Sequence, residues 1–134
     1  MSISLLDVNV LIAFAWPTHV HHRPVRDWFR KHRDDGWATC PMTECGFVRI
    51  SSNPKILPNA VEPNEAIALL RQLAAMPGHH FWPDDISLCS ESQAIPMIMG
   101  HRQVTDAYLL ELAVAHGGRL VTLDRHVSTL LPRN

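Results

Sequence analysis

Residues 104–124 read VTDAYLLELAVAHGGRLVTLD. Apolar residues at helical spacing, AYLLELAVAH, give way through Gly117 and Gly118 to the short apolar run RLVTL, which ends on Asp124. Thr105 or Asp106 is the expected cap of this helix, and the glycine pair its stop. A helix followed by glycine and a buried strand that delivers a carboxylate is half of an α/β unit. The N-terminus supplies a matching half. Residues 3–6, ISLL, form a short apolar strand that ends at Asp7, and residues 8–16, VNVLIAFAW, form a buried helix closed by Pro17.

The middle of the chain repeats the alternation. Val25, Trp28, Phe29 and His32 recur at helical spacing between Pro24 and His32, and Asp34, Asp35 and Gly36 stop that helix. WATC (37–40) is the second strand. Pro41 opens a helix to about Ser52, ended by Asn53-Pro54. Pro63 starts the helix NEAIALLRQLAAM, ended by Pro77-Gly78, and HHFWP (79–83) is the third strand. Residues 84–102 are the least regular: SLCSESQAI is a candidate short helix and Pro96–Gly100 a loop. A short last helix is expected after Asp124. Strands alternating with helices predict a mostly parallel sheet with helices on both faces.

Composition bounds what such a chain does. Its 134 residues fit one domain, expected to span residues 1–134, and 46% hydrophobic residues exclude disorder. No apolar run reaches the roughly 18 residues of a membrane span. The N-terminal apolar stretch holds Asp7 and lacks a preceding basic segment, unlike a signal peptide. A cytoplasmic location is the expectation. Cys40, Cys45 and Cys89 are an odd set without CxxC spacing and read as apolar fillers. The net charge of −1 does not announce a nucleic-acid binder, but ten of the twelve basic residues are arginines, whose planar fork suits phosphate. Arg23, Arg26, Arg30, Lys31 and Arg33 fall between positions 23 and 33.

The acids carry the functional signal. In a parallel sheet, strand carboxyl ends and the amino ends of the crossover helices share one edge, where ligands sit. Asp7 and Asp124 end apolar strands, Asp106 starts a helix, and Glu44 lies in the first turn after the second strand. Each alone reads as a helix cap. Together they repel one another, which a divalent cation relieves. Oxygen donors favour Mg²⁺ or Mn²⁺. Asp7, Asp106 and Asp124 are the expected metal ligands, with Glu44 completing the catalytic acids. Asn9 and Thr122 are expected supports, Thr122 sharing a strand face with Asp124. Such a site suits phosphodiester hydrolysis: the cation lowers the pKa of water, the hydroxide attacks phosphorus in line, and 5′-phosphate and 3′-hydroxyl ends result.

These blocks, LLDVNVLIAF around Asp7, TECGFVRI around Glu44 and VTDAYLLELAVAHGGRLVTLD over Asp106 and Asp124, resemble PIN-domain ribonucleases, specifically the VapC-like toxins of type II toxin–antitoxin systems. The likeness covers essentially the whole chain, with residues 53–100 the least diagnostic. It implies a three-layer α/β/α sandwich with a central, mostly parallel sheet of four to five strands. It also implies an Mg²⁺- or Mn²⁺-dependent endoribonuclease, a homodimer, a VapB-like antitoxin partner that lies across the site, and an RNA substrate such as tRNA. Residue by residue, it places Asp7, Glu44, Asp106 and Asp124 in the acidic site, with Asn9 and Thr122 in support.

Other features read more plainly. His19, His21 and His22 lie in a Pro-flanked stretch without a second ligand cluster and read as surface or capping residues. His32 reads as packed in the core, and His126 lies near the site. Trp16, Trp28, Trp37 and Trp82 could stack on bases, but Trp28 and Trp37 read better as core, and Trp82 stays open. Arg49 and Arg125 are the phosphate-contact candidates nearest the acids. Two rivals remain. A receiver- or phosphatase-like phosphotransfer domain also puts an Asp after the first strand, but it wants a late lysine, and only Lys31 and Lys55 exist. A non-catalytic nucleic-acid or protein-binding domain would use the acids only as caps.

Overall fold

The structure is a computed structural model and describes residues 2–90 and 98–124. Four short parallel strands form its sheet: β1 (Ser4–Leu6), β2 (Trp37–Thr39), β3 (His79–Phe81) and β4 (Arg119–Val121), in the order β3-β2-β1-β4. Register is tight. Leu5 lies beside Ala38 on one side and Leu120 on the other, and Leu6 lies beside Val121. The helices are α1 (Val8–Ala15), α2 (His22–His32), α3 (Pro41–Ser51), α4 (Pro63–Ala74) and α5 (Val104–Ala115).

The two central strands, β1 and β2, are buried on both faces, and the edge strands β3 and β4 are more exposed. Side chains alternate across a strand. Leu6 and Trp37 therefore join the core under α1–α4, with Val10, Phe29, Phe47 and Leu70. Leu5 and Ala38 join the core under α5, with Tyr108, Leu109 and Leu112. Each fully buried side chain of this size contributes roughly 1.5–3 kcal/mol. The result is the expected three-layer α/β/α sandwich, with four strands among the described residues.

The boundaries teach more than the elements. Pro41 and Pro63 open α3 and α4 as expected, since neither position needs a helical N–H. A 3-10 turn at Arg33–Asp35 ends at Gly36, whose φ of 94° suits glycine and turns the chain into β2. Three expectations shift. First, α2 begins at His22, two residues before Pro24, with His22 Nδ1 2.8 Å from the Ala13 carbonyl oxygen. Second, α5 begins at Val104, after a 3-10 turn at His101–Gln103, so neither Thr105 nor Asp106 caps it. Third, β4 ends at Val121, so Thr122 and Leu123 follow the strand and Asp124 does not adjoin it. Residues 87–90 turn rather than coil into a helix. The rest of that expected helix, the last helix, Arg125 and His126 lie outside the described residues.

Candidate active site

Asp7 follows β1 directly and caps α1: its Oδ1 accepts from the Val8 N–H at 2.7 Å. Its Oδ2 accepts from the Thr122 hydroxyl at 2.7 Å, a contact 115 residues long in sequence. Register explains the meeting. Leu6 pairs with Val121, and the Asp7 N–H donates to the Val121 carbonyl at 3.0 Å, so the next residue on each chain faces its counterpart. Asp7 is only 7% exposed. Burial pushes its pKa above the usual carboxylate range, the Thr122 and Val8 hydrogen bonds oppose the rise, and the Asp124 charge adds to it. Asp7 and Asp124 thus share one electrostatic field.

Thr122 is the hub. Its oxygen also accepts from the Asp124 N–H at 3.0 Å and from the Asn9 carboxamide at 3.4 Å. The Asn9 Oδ1 accepts from the Leu123 N–H at 3.2 Å. Asn9 therefore ties the first turn of α1 to residues 122–124. One expectation about Thr122 is corrected. Thr122 orders the Asp7 carboxylate and the Asp124 backbone through its hydroxyl, rather than lying on a strand face shared with the Asp124 side chain, because the strand has already ended.

Asp106 is buried in the first turn of α5, 9% exposed. Because α5 leads into parallel β4, its amino end lies toward the edge where the strands finish. Glu44 lies in the first turn of α3 at the same edge, but its described hydrogen bond goes elsewhere: Oε2 accepts from the Thr39 hydroxyl at 2.8 Å, and His79 Nε2 lies 2.8 Å from that hydroxyl. Thr39 and His79 were not among the expected residues. The available signal was a polar side chain at one end of each of two short strands, Thr39 in WAT and His79 in HHF. Asp84 was missed as well. Its oxygens accept from the Tyr108 hydroxyl at 2.9 Å and the Met42 N–H at 3.2 Å, joining the segment after β3 to the starts of α3 and α5.

Arg49 is exposed on α3 and lines, with Glu44, Cys45 and Ser52, a shallow hollow of about 530 Å³ against α4. A smaller cleft of about 290 Å³ lies between Val10, Val25, Trp28 and residues 121–123. Trp16 is buried with its indole N–H on Ser51 at 3.1 Å, and Trp82 is buried against His116. Neither is free to stack on a base. Trp28 is half-buried and stacks on His32, which lies at the surface rather than in the core. His19 Nδ1 accepts from the His21 backbone N–H at 3.0 Å and His22 Nδ1 lies 2.8 Å from the Ala13 carbonyl oxygen, while His21, at the N-cap of α2, makes no side-chain cap hydrogen bond. Of the cysteines only Cys40 is a buried filler; Cys45 and Cys89 are exposed. Lys31 and Lys55 are both exposed, on α2 and in the turn after α3.

Among the described residues, no three Asp, Glu, His or Cys side chains converge on one cation-sized point. The groups gathered at Asp7 still suit a hard cation, being carboxylates, a hydroxyl and a carboxamide. Mg²⁺ commonly takes one or two carboxylates and fills its shell with water and phosphate oxygens. No helix of the described residues is long and apolar enough to cross a membrane.

Acids at the carboxyl edge of a small parallel sheet, braced by a threonine and an asparagine, define a class of α/β/α proteins with an oxygen-donor site. The chain belongs to the PIN-domain family, matching the PIN domain over residues 4–130. It is 53% identical over 127 residues to Ribonuclease VapC38 of Mycobacterium tuberculosis (strain ATCC 25618 / H37Rv), covering 95% of this chain and 89% of that one. It is 49% identical over 122 residues to Ribonuclease VapC39 of the strain CDC 1551 / Oshkosh, covering 90% and 88%. Ribonuclease VapC44 of that strain is 42% identical over 127 residues, covering 93% and 88%.

Proposed function

We propose that this chain is a divalent-cation-dependent endoribonuclease, the toxin half of a toxin–antitoxin pair, folded as one domain over residues 1–134. The observation that carries the reading is Asp7, a buried carboxylate held by two hydrogen bonds beside a second negative charge, that of Asp124. Nothing in cap chemistry requires that arrangement. A helix cap works as well with a neutral serine or threonine in water, whereas a buried carboxylate beside a second acid is the kind of arrangement that supports a reading as a working site.

Asp7, Asp106 and Asp124 would hold Mg²⁺ or Mn²⁺, with Glu44 as the fourth acid. When bound, the cation would neutralise phosphate charge and acidify water. The chain's own share is positioning. Thr122 fixes which Asp7 oxygen is engaged, Asn9 pins residues 122–124, and the amino end of α1 favours negative charge at Asp7. Arg49 and Arg125 are proposed phosphate contacts. A VapB-like antitoxin, a homodimeric assembly, a cytoplasmic setting and a structured RNA such as tRNA belong to the same proposal.

The test incubates purified protein with RNA and with matched DNA, under Mg²⁺, Mn²⁺ and chelator, alongside Asp7→Asn and Asp106→Asn. RNA cut to 5′-phosphate ends only with metal, and at least about 10²-fold more slowly by either variant, is expected. Cleavage that survives chelation removes the cation from the mechanism. Equal cutting by all three proteins removes the site.

A further inference from the structure

Thr39 closes β2, is fully buried, and donates its hydroxyl proton to Glu44 Oε2 at 2.8 Å. A hydroxyl has one proton to give. Its second contact, 2.8 Å to His79 Nε2, is therefore one in which the histidine donates. That fixes the His79 proton on Nε2 and gives the three side chains a direction, His79 to Thr39 to Glu44. The imidazole packs against the buried Trp37 ring, with centroids 4.7 Å apart, and Trp37 lies two residues before Thr39 on the same strand face. The relay crosses from β3 through β2 to the first turn of α3.

Glutamate is long and loses rotamer freedom when fixed. On α3 it would otherwise sample several rotamers over a half-exposed surface. Anchoring through Oε2 sets one rotamer and leaves the second carboxylate oxygen for chemistry. We propose that Thr39 and His79 are positioning residues that hold Glu44 for phosphodiester cleavage, an inference that rests on the endoribonuclease reading above.

The test measures kcat and KM for RNA cleavage in Thr39→Val, Thr39→Ser, His79→Leu, His79→Gln, Glu44→Gln and the double variant Thr39→Val/Glu44→Gln. Removing a group that orients a site ligand typically costs about 10–100-fold. Thr39→Val and His79→Leu are expected to lose that much, mainly in kcat. Thr39→Ser and His79→Gln, which keep a hydroxyl and an N–H donor, should recover most of it. In the Glu44→Gln background Thr39→Val should cost nothing further. An equal loss in both backgrounds would make Thr39 merely structural and overturn the inference, as would full activity in Thr39→Val. Full activity in Glu44→Gln with an inactive Asp7→Asn would overturn it too, while leaving the nuclease reading intact. Wild-type rates in both acid variants would instead sink the nuclease reading, and the positioning role with it. The anchoring then stands or falls on the ¹³C carboxyl resonance of Glu44, expected to move in Thr39→Val.

Discussion

Asp7 is a charged group placed where charge is costly, and that cost has a sign. Its folded pKa lies above 3.8, first because it is buried and also because Asp124 is close. Below that ordinary value both folded and unfolded chains hold the proton, so Asp7 costs nothing. As pH rises from about 4 through the raised folded value, the unfolded chain releases its proton first and the folded state loses stability. Asp7→Asn removes this loss. In chelator, its melting temperature should exceed the wild type's at pH 7, and the gap should close as pH falls toward 4. Thermal melts across that range check the sign; a variant less stable than wild type throughout would mean that the Val8 and Thr122 hydrogen bonds outweigh burial. Asp7 and Thr122 were legible because each directly follows an apolar strand, and Asn9 because it lies in the first turn of the helix after Asp7. Thr39 and His79 were not: their partnership spans 40 residues and two strands, and depends on a register that no local pattern encodes.

Helices were legible in kind and less so in their first turns. Proline at a first helical position is a strong signal, and α3 and α4 begin where it stands. At α5 both Thr105 and Asp106 are residue types that favour caps, but the 3-10 turn before Val104 starts the helix earlier. A true Ser or Thr cap is worth about 1 kcal/mol. Exposed inside the first turn, Thr105→Ala should instead change stability by less than about 0.5 kcal/mol in urea unfolding. Gly46 makes the opposite case. A Cβ there would stand 2.6 Å from Val8 Cγ2, where α3 crosses α1. Gly46→Ala should cost about 1–3 kcal/mol by overpacking. It should also lower cleavage, since Val8 supplies the N–H that holds Asp7. Adding Val8→Ala should return much of the stability; if it does not, the clash lies elsewhere.

At the scale of the molecule, the alternation of strand and helix was enough to predict a parallel sandwich, because parallel strands need crossovers and crossovers need length. The order β3-β2-β1-β4 was not legible, since short apolar strands carry little to distinguish their neighbours. That order is what puts β1 at the centre, with Thr122 reaching Asp7 from one side and Thr39 lying on the strand at the other. Burial and the Asp124 charge make an ionised Asp7 costly in the folded protein, and under the proposed function a cation that binds only the folded state would offset that cost. At a hundredfold excess over its Kd, a bound cation adds about 2.7 kcal/mol, on the order of 10 °C in melting temperature for a domain this size. Mn²⁺ should therefore raise the wild-type Tm in proportion to the logarithm of its concentration. In Asp7→Asn the rise should nearly vanish, although that variant starts from the higher Tm in chelator. The crossing of the two curves is the diagnostic feature, because a nonspecific ionic effect would move both proteins together and Ca²⁺ or spermidine would reproduce it. Parallel curves would mean that Asp7 is buried for packing alone, and the cation would have to be sought away from this edge of the sheet.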